Sequence, residues 1–206
     1  TSFFQGVVRF NTYIGLAVSA VFPAPGPTLG VLVVAVMTPI VNILCILAFT
    51  VFIQKQLKIG TLFKSLATNP LIVACVLGIT LNVSPWELPK LVLDVLKQLA
   101  QMALPTGLLA VGAGLNLAAL RGLHEPFFWS AALKLLLVPL LAWGVGLALG
   151  LDPISSSILI VFAALPTAPS AYILARQLGG NAELMAGMIT GQTLLALISL
   201  PLVLSL

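Results

Sequence analysis

The feature that most constrains this chain is a succession of apolar runs, each about as long as a bilayer is thick. A helix needs about 20 predominantly apolar residues to cross a hydrocarbon core of about 30 Å. Seven stretches reach or approach that length: residues 5–22, 28–53, 67–83, 90–115, 126–149, 154–178 and 184–206. The composition leaves no other solvent available. With 60% hydrophobic and 7% charged residues, against about 25% charged in soluble domains, the chain cannot assemble a water-facing surface. Its runs lack the alternation of a barrel strand, and an open sheet would leave backbone groups unpaired in hydrocarbon. The expected fold class is all-α, a polytopic bundle of membrane helices surrounded by lipid bilayer.

Nine Lys and Arg against five Asp and Glu give a net charge of +4. The basic residues are scattered through the hinges, without the dense cluster that grips nucleic acid, so nucleic acid is not an expected partner. Hinges 54–66, 116–125 and 179–183 with their flanks carry Lys55, Lys58, Lys64, Arg121 and Arg176, with Arg9 on the same side. Hinges 23–27, 84–89 and 150–153 offer Lys90 alone. Basic residues are retained on the cytoplasmic side, so residue 1 and the 54–66 hinge are expected in the cytoplasm and the C-terminal end outside. Cys45 and Cys75 lie inside apolar runs with no ligand partner spaced nearby, which predicts no disulfide, metal site or cofactor.

Two of the runs are interrupted. The first contains Arg9-Phe10-Asn11-Thr12-Tyr13-Ile14-Gly15 and the sixth contains Leu165-Pro166-Thr167-Ala168-Pro169-Ser170-Ala171-Tyr172. Proline removes a helical hydrogen bond and clashes with the preceding turn, so Pro166 and Pro169 together should unwind the sixth run. Irregular backbone at membrane depth is tolerated where it is buried in protein or lines a watery cavity, and in transporters such breaks commonly form the substrate site. Half-helix N-termini would present amides and a positive dipole end to an anion. The alternative is a pair of kinks satisfied by neighbouring helices, with no ligand.

The interrupted run 5–22 is followed by a short loop and the run 28–53, and 154–178 is followed likewise by 184–206. The last five runs therefore make one unit. The first two resemble the end of an equivalent unit of opposite topology, the inverted-repeat plan of many secondary transporters. On this reading residues 1–53 close the first repeat, 54–66 are a cytoplasmic connection and 67–206 form the complete second repeat. It also predicts three further spans ahead of residue 1.

Phe10-Asn11-Thr12-Tyr13-Ile14-Gly15-Leu16, Thr68-Asn69-Pro70-Leu71-Ile72, Leu104-Pro105 running to Gly112-Ala113-Gly114-Leu115, and Pro166 through Ala175 followed by Gly179-Gly180-Asn181 together resemble bacterial members of the auxin efflux carrier family. The likeness extends over essentially the whole chain. It implies ten spans in two inverted five-helix repeats, seven of them here, with the penultimate helix of each repeat broken where the two cross. It implies a permease that moves a small organic anion, such as a carboxylate or dicarboxylate, by alternating access in the bacterial inner (plasma) membrane. A coupling proton or sodium ion and a homodimer are partners this reading leaves open. The family's crossover polar residue falls on Asn11. The first crossover has no proline where the second has two, so the sequence gives less reason for it to unwind.

The residues expected to contact substrate are Asn11, Tyr13, Gly15, Pro166, Thr167, Pro169 and Ser170, with Lys134 as a cation for the anion. A charge such as Lys134 costs roughly 2.5–3.5 kcal/mol at the centre of a lipid-facing helix, so it faces a cavity or snorkels to the interface. Arg9, nearer a boundary, is expected to snorkel. Asp94 is read either as a coupling-proton site or as an ion pair with Lys97. Asn69 is expected to cap a helix, His124 to be a solvated loop residue, and Gln192, Thr190, Thr193, Gly187 and Gly191 to serve helix packing. A channel-like or sensory membrane module also fits the spans but leaves the paired breaks unexplained. An intramembrane enzyme is disfavoured, because Asp94 and Asp152 are the only aspartates and no catalytic constellation accompanies them.

Overall fold

The computed structural model describes residues 1–54, 60, 67, 70–122 and 124–204. Lys55, Lys58 and Lys64 of the 54–66 hinge, the Thr68-Asn69 pair and the side chain of Cys75 lie outside the described residues. In chain order the helices are α1 (Ser2–Val8), α2 (Thr12–Ser19), α3 (Gly26–Phe49), α4 (Pro70–Val83), α5 (Lys90–Ala113), α6 (Glu125–Ala132), α7 (Val138–Ala148), α8 (Pro153–Ala164), α9 (Ser170–Gln177) and α10 (Ala182–Leu204). A π turn, Thr50–Gln54, prolongs α3. A second, Leu133–Leu137, joins α6 to α7, and a 3-10 turn, Leu117–Gly122, follows α5. No strand occurs among the described residues, and the fold is an all-helical membrane bundle.

Among the described residues, three helices are long and apolar enough to cross a membrane: Gly26–Ile53, Glu125–Ala148 and Ala182–Leu204. Helix α5 has the length, at 24 residues, but Lys90, Asp94, Lys97, Gln98 and Gln101 dilute its first half. The runs 5–22 and 154–178 are each two short helices with non-helical backbone between them. The first run therefore breaks without a proline. Arg9 is extended (φ −74°, ψ 142°) and so is Asn11 (φ −79°, ψ 101°), whose side chain caps the new helix.

Much of the exterior is apolar, and a set of polar side chains turns inward. Val31, Leu32, Ile40 and Leu44 of α3, Leu140, Leu141 and Leu147 of α7 and Leu197, Ile198 and Leu202 of α10 are exposed, whereas Gln5, Arg9, Asn11, Asn42, Lys134, Thr167 and Gln192 are buried. Helix α10 lies against α1, α6, α8 and α9, which places it beside both interrupted runs. One apolar cluster, including Phe49, Phe127, Met185 and Met188, fills the space on the α6 and α9 side. Another, including Ile158, Phe162, Leu165 and Leu200, packs α8 on α2, α3 and α10. Gly191 of α10 meets the Phe127 ring so closely that a Cβ would lie 2.6 Å from its Cζ, in keeping with a packing role for the small residues of α10.

Local chemistry sets the outer ends. Asp152 Oδ1 accepts hydrogen bonds from the backbone N–H of Ile154 and Ser155, both at 3.1 Å, and so caps α8. Hydrogen bonding from Ser155 holds its carboxyl below the usual range. Helix α7 stops at Gly150 (φ 62°), where Leu151 N bonds Gly146 O and Gly150 N bonds Leu147 O, a pattern needing a residue at ease with positive φ.

Candidate functional site

Each break frees backbone groups, and the two breaks satisfy one another. In an unbroken helix the Gly6 carbonyl would accept from residue 10. It accepts instead from Gln192 Nε2 at 2.9 Å. Asn11 N, with no helical partner, donates to Pro166 O at 2.8 Å. In the second break Thr167 N is left without its acceptor four residues back and donates to Gln192 Oε1 at 3.0 Å. The Thr167 hydroxyl lies 2.8 Å from Gly6 O and 2.7 Å from Gln192 Oε1, and its one proton serves either. Gln192 thus holds one freed group from each broken run, and its Nε2 also reaches Ser130 Oγ at 3.3 Å. Its side chain is fully buried.

Beside this bridge lies Arg9, only 5% exposed. Its Nη1 donates to Gln5 Oε1 at 3.3 Å. Its Nη2 donates to Asn42 Oδ1 of α3 at 2.6 Å and to Ser170 Oγ of α9 at 3.2 Å. Arg9 therefore does not snorkel to the surface. The extended backbone at Arg9 turns its side chain into the protein, where α1, α3 and α9 meet.

The expected site residues divide into three groups. Asn11, Pro166, Thr167 and Ser170 converge at the crossing. Asn11 Oδ1 accepts from Tyr13 N and Ile14 N at 3.1 and 3.3 Å, and Pro169 occupies the N-cap position of α9. Gly15 and Tyr13 make packing contacts. A Cβ at Gly15 would stand 2.8 Å from both Leu165 and Phe162, so this glycine lets α2 approach the second break. The Tyr13 ring, 39% exposed, lies directly on Gly107 of α5. Lys134 is buried at 3% exposure within the second π turn, a local widening frequent at functional positions. It is not among the residues lining the cavity that contains Arg9.

That cavity, about 180 Å³, is lined by Arg9, Thr12, Thr38, Asn42 and Ser170 together with apolar side chains. A larger hollow of about 460 Å³ lies along α5 against Gln98, Gln101 and Thr106, and two others, about 570 and 490 Å³, open between α6, α7, α8 and α10 and are lined almost wholly by apolar side chains. The chemistry of these last two suits acyl chains rather than a polar solute.

The sequence family described as membrane transport protein matches residues 54–204, nearly three quarters of the chain. The chain belongs to the auxin efflux carrier family. A relative from Methanothermobacter thermautotrophicus, named "Uncharacterized transporter", is 31% identical over 130 residues, 63% of this chain and 42% of that protein. Another from Rhizobium meliloti, named "Putative malonate transporter", is 30% identical over 135 residues, 65% of this chain and 42% of that protein. The chain thus matches less than half the length of these curated relatives. No solved structure matches it. Family membership and its long apolar helices make it an integral membrane protein.

Two residues where the interrupted runs meet were not expected from sequence: Arg9, read as snorkelling, and Gln192, read as packing. A signal for Gln192 existed. It is a glutamine in the middle of a 23-residue apolar helix, and polar groups at such depth face protein interior or a cavity. For Arg9 the signal was its position two residues before the asparagine that starts the next half-helix.

Proposed function

We propose that this chain is part of a secondary transporter that moves a small organic anion, a carboxylate or dicarboxylate, by alternating access around two crossing broken helices of an inverted repeat. The observation that supports the anion is a charge imbalance. Arg9 and Lys134 are buried, while all five acidic residues, Glu87, Asp94, Glu125, Asp152 and Glu183, are exposed. A buried cation without a counter-charge is costly, and a bound anion removes that cost. The hydrogen-bonding pattern points the same way. Asn11, Asn42 and Gln5 each commit their side-chain oxygen to a donor and leave Asn11 Nδ2, Asn42 Nδ2 and Gln5 Nε2 without a partner. What the crossing has in surplus is donors.

Asn11, the 166–170 break and Lys134 are the residues assigned to this site. The name of the Rhizobium relative makes malonate the first solute to try. Purified protein in proteoliposomes should take up labelled malonate saturably, with unlabelled dicarboxylates competing and the neutral diamide failing to compete. Saturation separates a carrier from a passive pore. Asn11→Ala, with its fold retained, should lose most of that uptake, whereas unchanged kinetics would remove Asn11 from the site.

A further inference from the structure

The geometry points to Arg9 as the residue that binds the carboxylate directly, in the 180 Å³ cavity between the first break, α3 and the start of α9, with Asn42 Nδ2 and the Thr38 hydroxyl as the accompanying donors. This rests on the anion-carrier reading and narrows it to one subsite. Three observations carry it. First, every partner of the guanidinium is neutral: the Gln5 and Asn42 amide oxygens and the Ser170 hydroxyl, with the Cys45 thiol alongside. Guanidinium cannot be deprotonated in a protein, so the charge persists in the cavity wall.

Second, the guanidinium dictates the orientation of its neighbour. It has donors only, so Asn42 must turn Oδ1 towards it, at 2.6 Å. Asn42 Nδ2 is then left without an acceptor, although Asn42 is only 2% exposed. Third, Thr38, one helical turn before Asn42 on α3, lines the same cavity and its buried Oγ1 also has no partner. A planar cation lining a small cavity, with an unpartnered amide N–H₂ and hydroxyl on two other residues that line it, matches a carboxylate, whose two oxygens accept and do not donate. Lys134 is equally buried but does not line this space, which is why Arg9 is chosen over it.

Ser170 gives the subsite a link to the second broken run. Its hydroxyl accepts from the Nη2 that also holds Asn42, so an anion drawing Arg9 towards it competes for the tie between α3 and α9. The carrier would then feel its solute at the contact between its two interrupted runs.

The decisive variant supplies the anion from within. Asn42→Asp places a carboxylate at hydrogen-bonding distance from Nη2 and should compete with the solute while relieving the unpaired charge. In vesicles of phosphatidylcholine alone, where no anionic lipid can fill the cavity, Asn42→Asp should lower malonate uptake at least tenfold and raise the thermal midpoint. Arg9→Gln should abolish saturable uptake, and Arg9→Lys, which keeps charge without the planar fork, should raise KM about tenfold or more. A merely structural Arg9 predicts the same stabilisation by Asn42→Asp but with transport unchanged, and that result would overturn the assignment. Arg9→Gln with unchanged KM would overturn it too, leaving the carrier reading intact. Wild-type protein that takes up no carboxylate would sink both.

Discussion

Gln192 shows how much one side chain can settle in a hydrocarbon environment. Its amide accepts from Thr167 N and donates to Gly6 O, groups that the two breaks have removed from helical bonding. Replacing it with Leu keeps the bulk but leaves Thr167 N buried and unpaired, and leaves Gly6 O with the Thr167 hydroxyl alone. An unpaired buried group costs about 1–3 kcal/mol, so Gln192→Leu should lower the thermal midpoint in detergent. Gln192→Glu can still accept from Thr167 N, so it should fall between Leu and wild type when the midpoints are compared. A Leu variant as stable as wild type would mean that water or a shifted helix replaces the bridge. Arg9 is the other residue whose meaning changed on folding. As a letter in an apolar run it resembles any boundary arginine, but its bond to Asn42 reaches 33 positions along the chain and its bond to Ser170 reaches 161. No local pattern contains those partners.

Among the helices, the contrast between the two breaks is instructive. The second follows from covalent chemistry: Pro166 lacks the N–H that would extend α8, and the helix ends at Ala164. The first has no such cause and depends on Asn11, whose side chain supplies the cap that starts α2 and whose N–H is taken by Pro166 O. The proline break thus provides an acceptor for the proline-free one. How α2 then meets α5 can be tested. Gly107 lies under the Tyr13 ring, with no room for a Cβ. Alanine is favoured over glycine in a helix interior by about 1 kcal/mol, so propensity alone predicts that Gly107→Ala stabilises. Contact predicts destabilisation. In a double-mutant cycle read by thermal unfolding, Gly107→Ala should destabilise when Tyr13 is present and become neutral or stabilising in a Tyr13→Ala background. Equal effects in both backgrounds would show that the ring moves aside freely.

At the scale of the whole molecule, an apolar exterior and a polar crossing make stability depend on solute. Exposed Leu, Val and Ile side chains along α3, α7 and α10 are apolar, so little discrimination between polar solutes can come from these faces. Arg9 and Lys134 are buried while the acidic residues are exposed. A ligand that binds only the folded protein stabilises it by about 2.7 kcal/mol at a hundredfold excess over its Kd. Malonate at such excess should therefore raise the thermal midpoint, and malonamide, which has the same skeleton without charge, should not. Equal shifts from both would show that charge does not select the solute.

Sequence alone determined the solvent, the helical class and the place of the two interruptions, because these follow from apolar run length, from the need to satisfy backbone groups in lipid and from proline's missing N–H. The ordered combination of motifs was also enough to indicate the family. Sequence did not reveal which polar residues meet. It placed Asn11 and Thr167 correctly at the interruptions, but it assigned Arg9 to the interface and Gln192 to packing. Tertiary structure decided both, for one physical reason. A buried polar group in a membrane protein is defined by the partner that satisfies it or by the lack of one, and here the bond from Gln192 to Gly6 joins residues 186 positions apart.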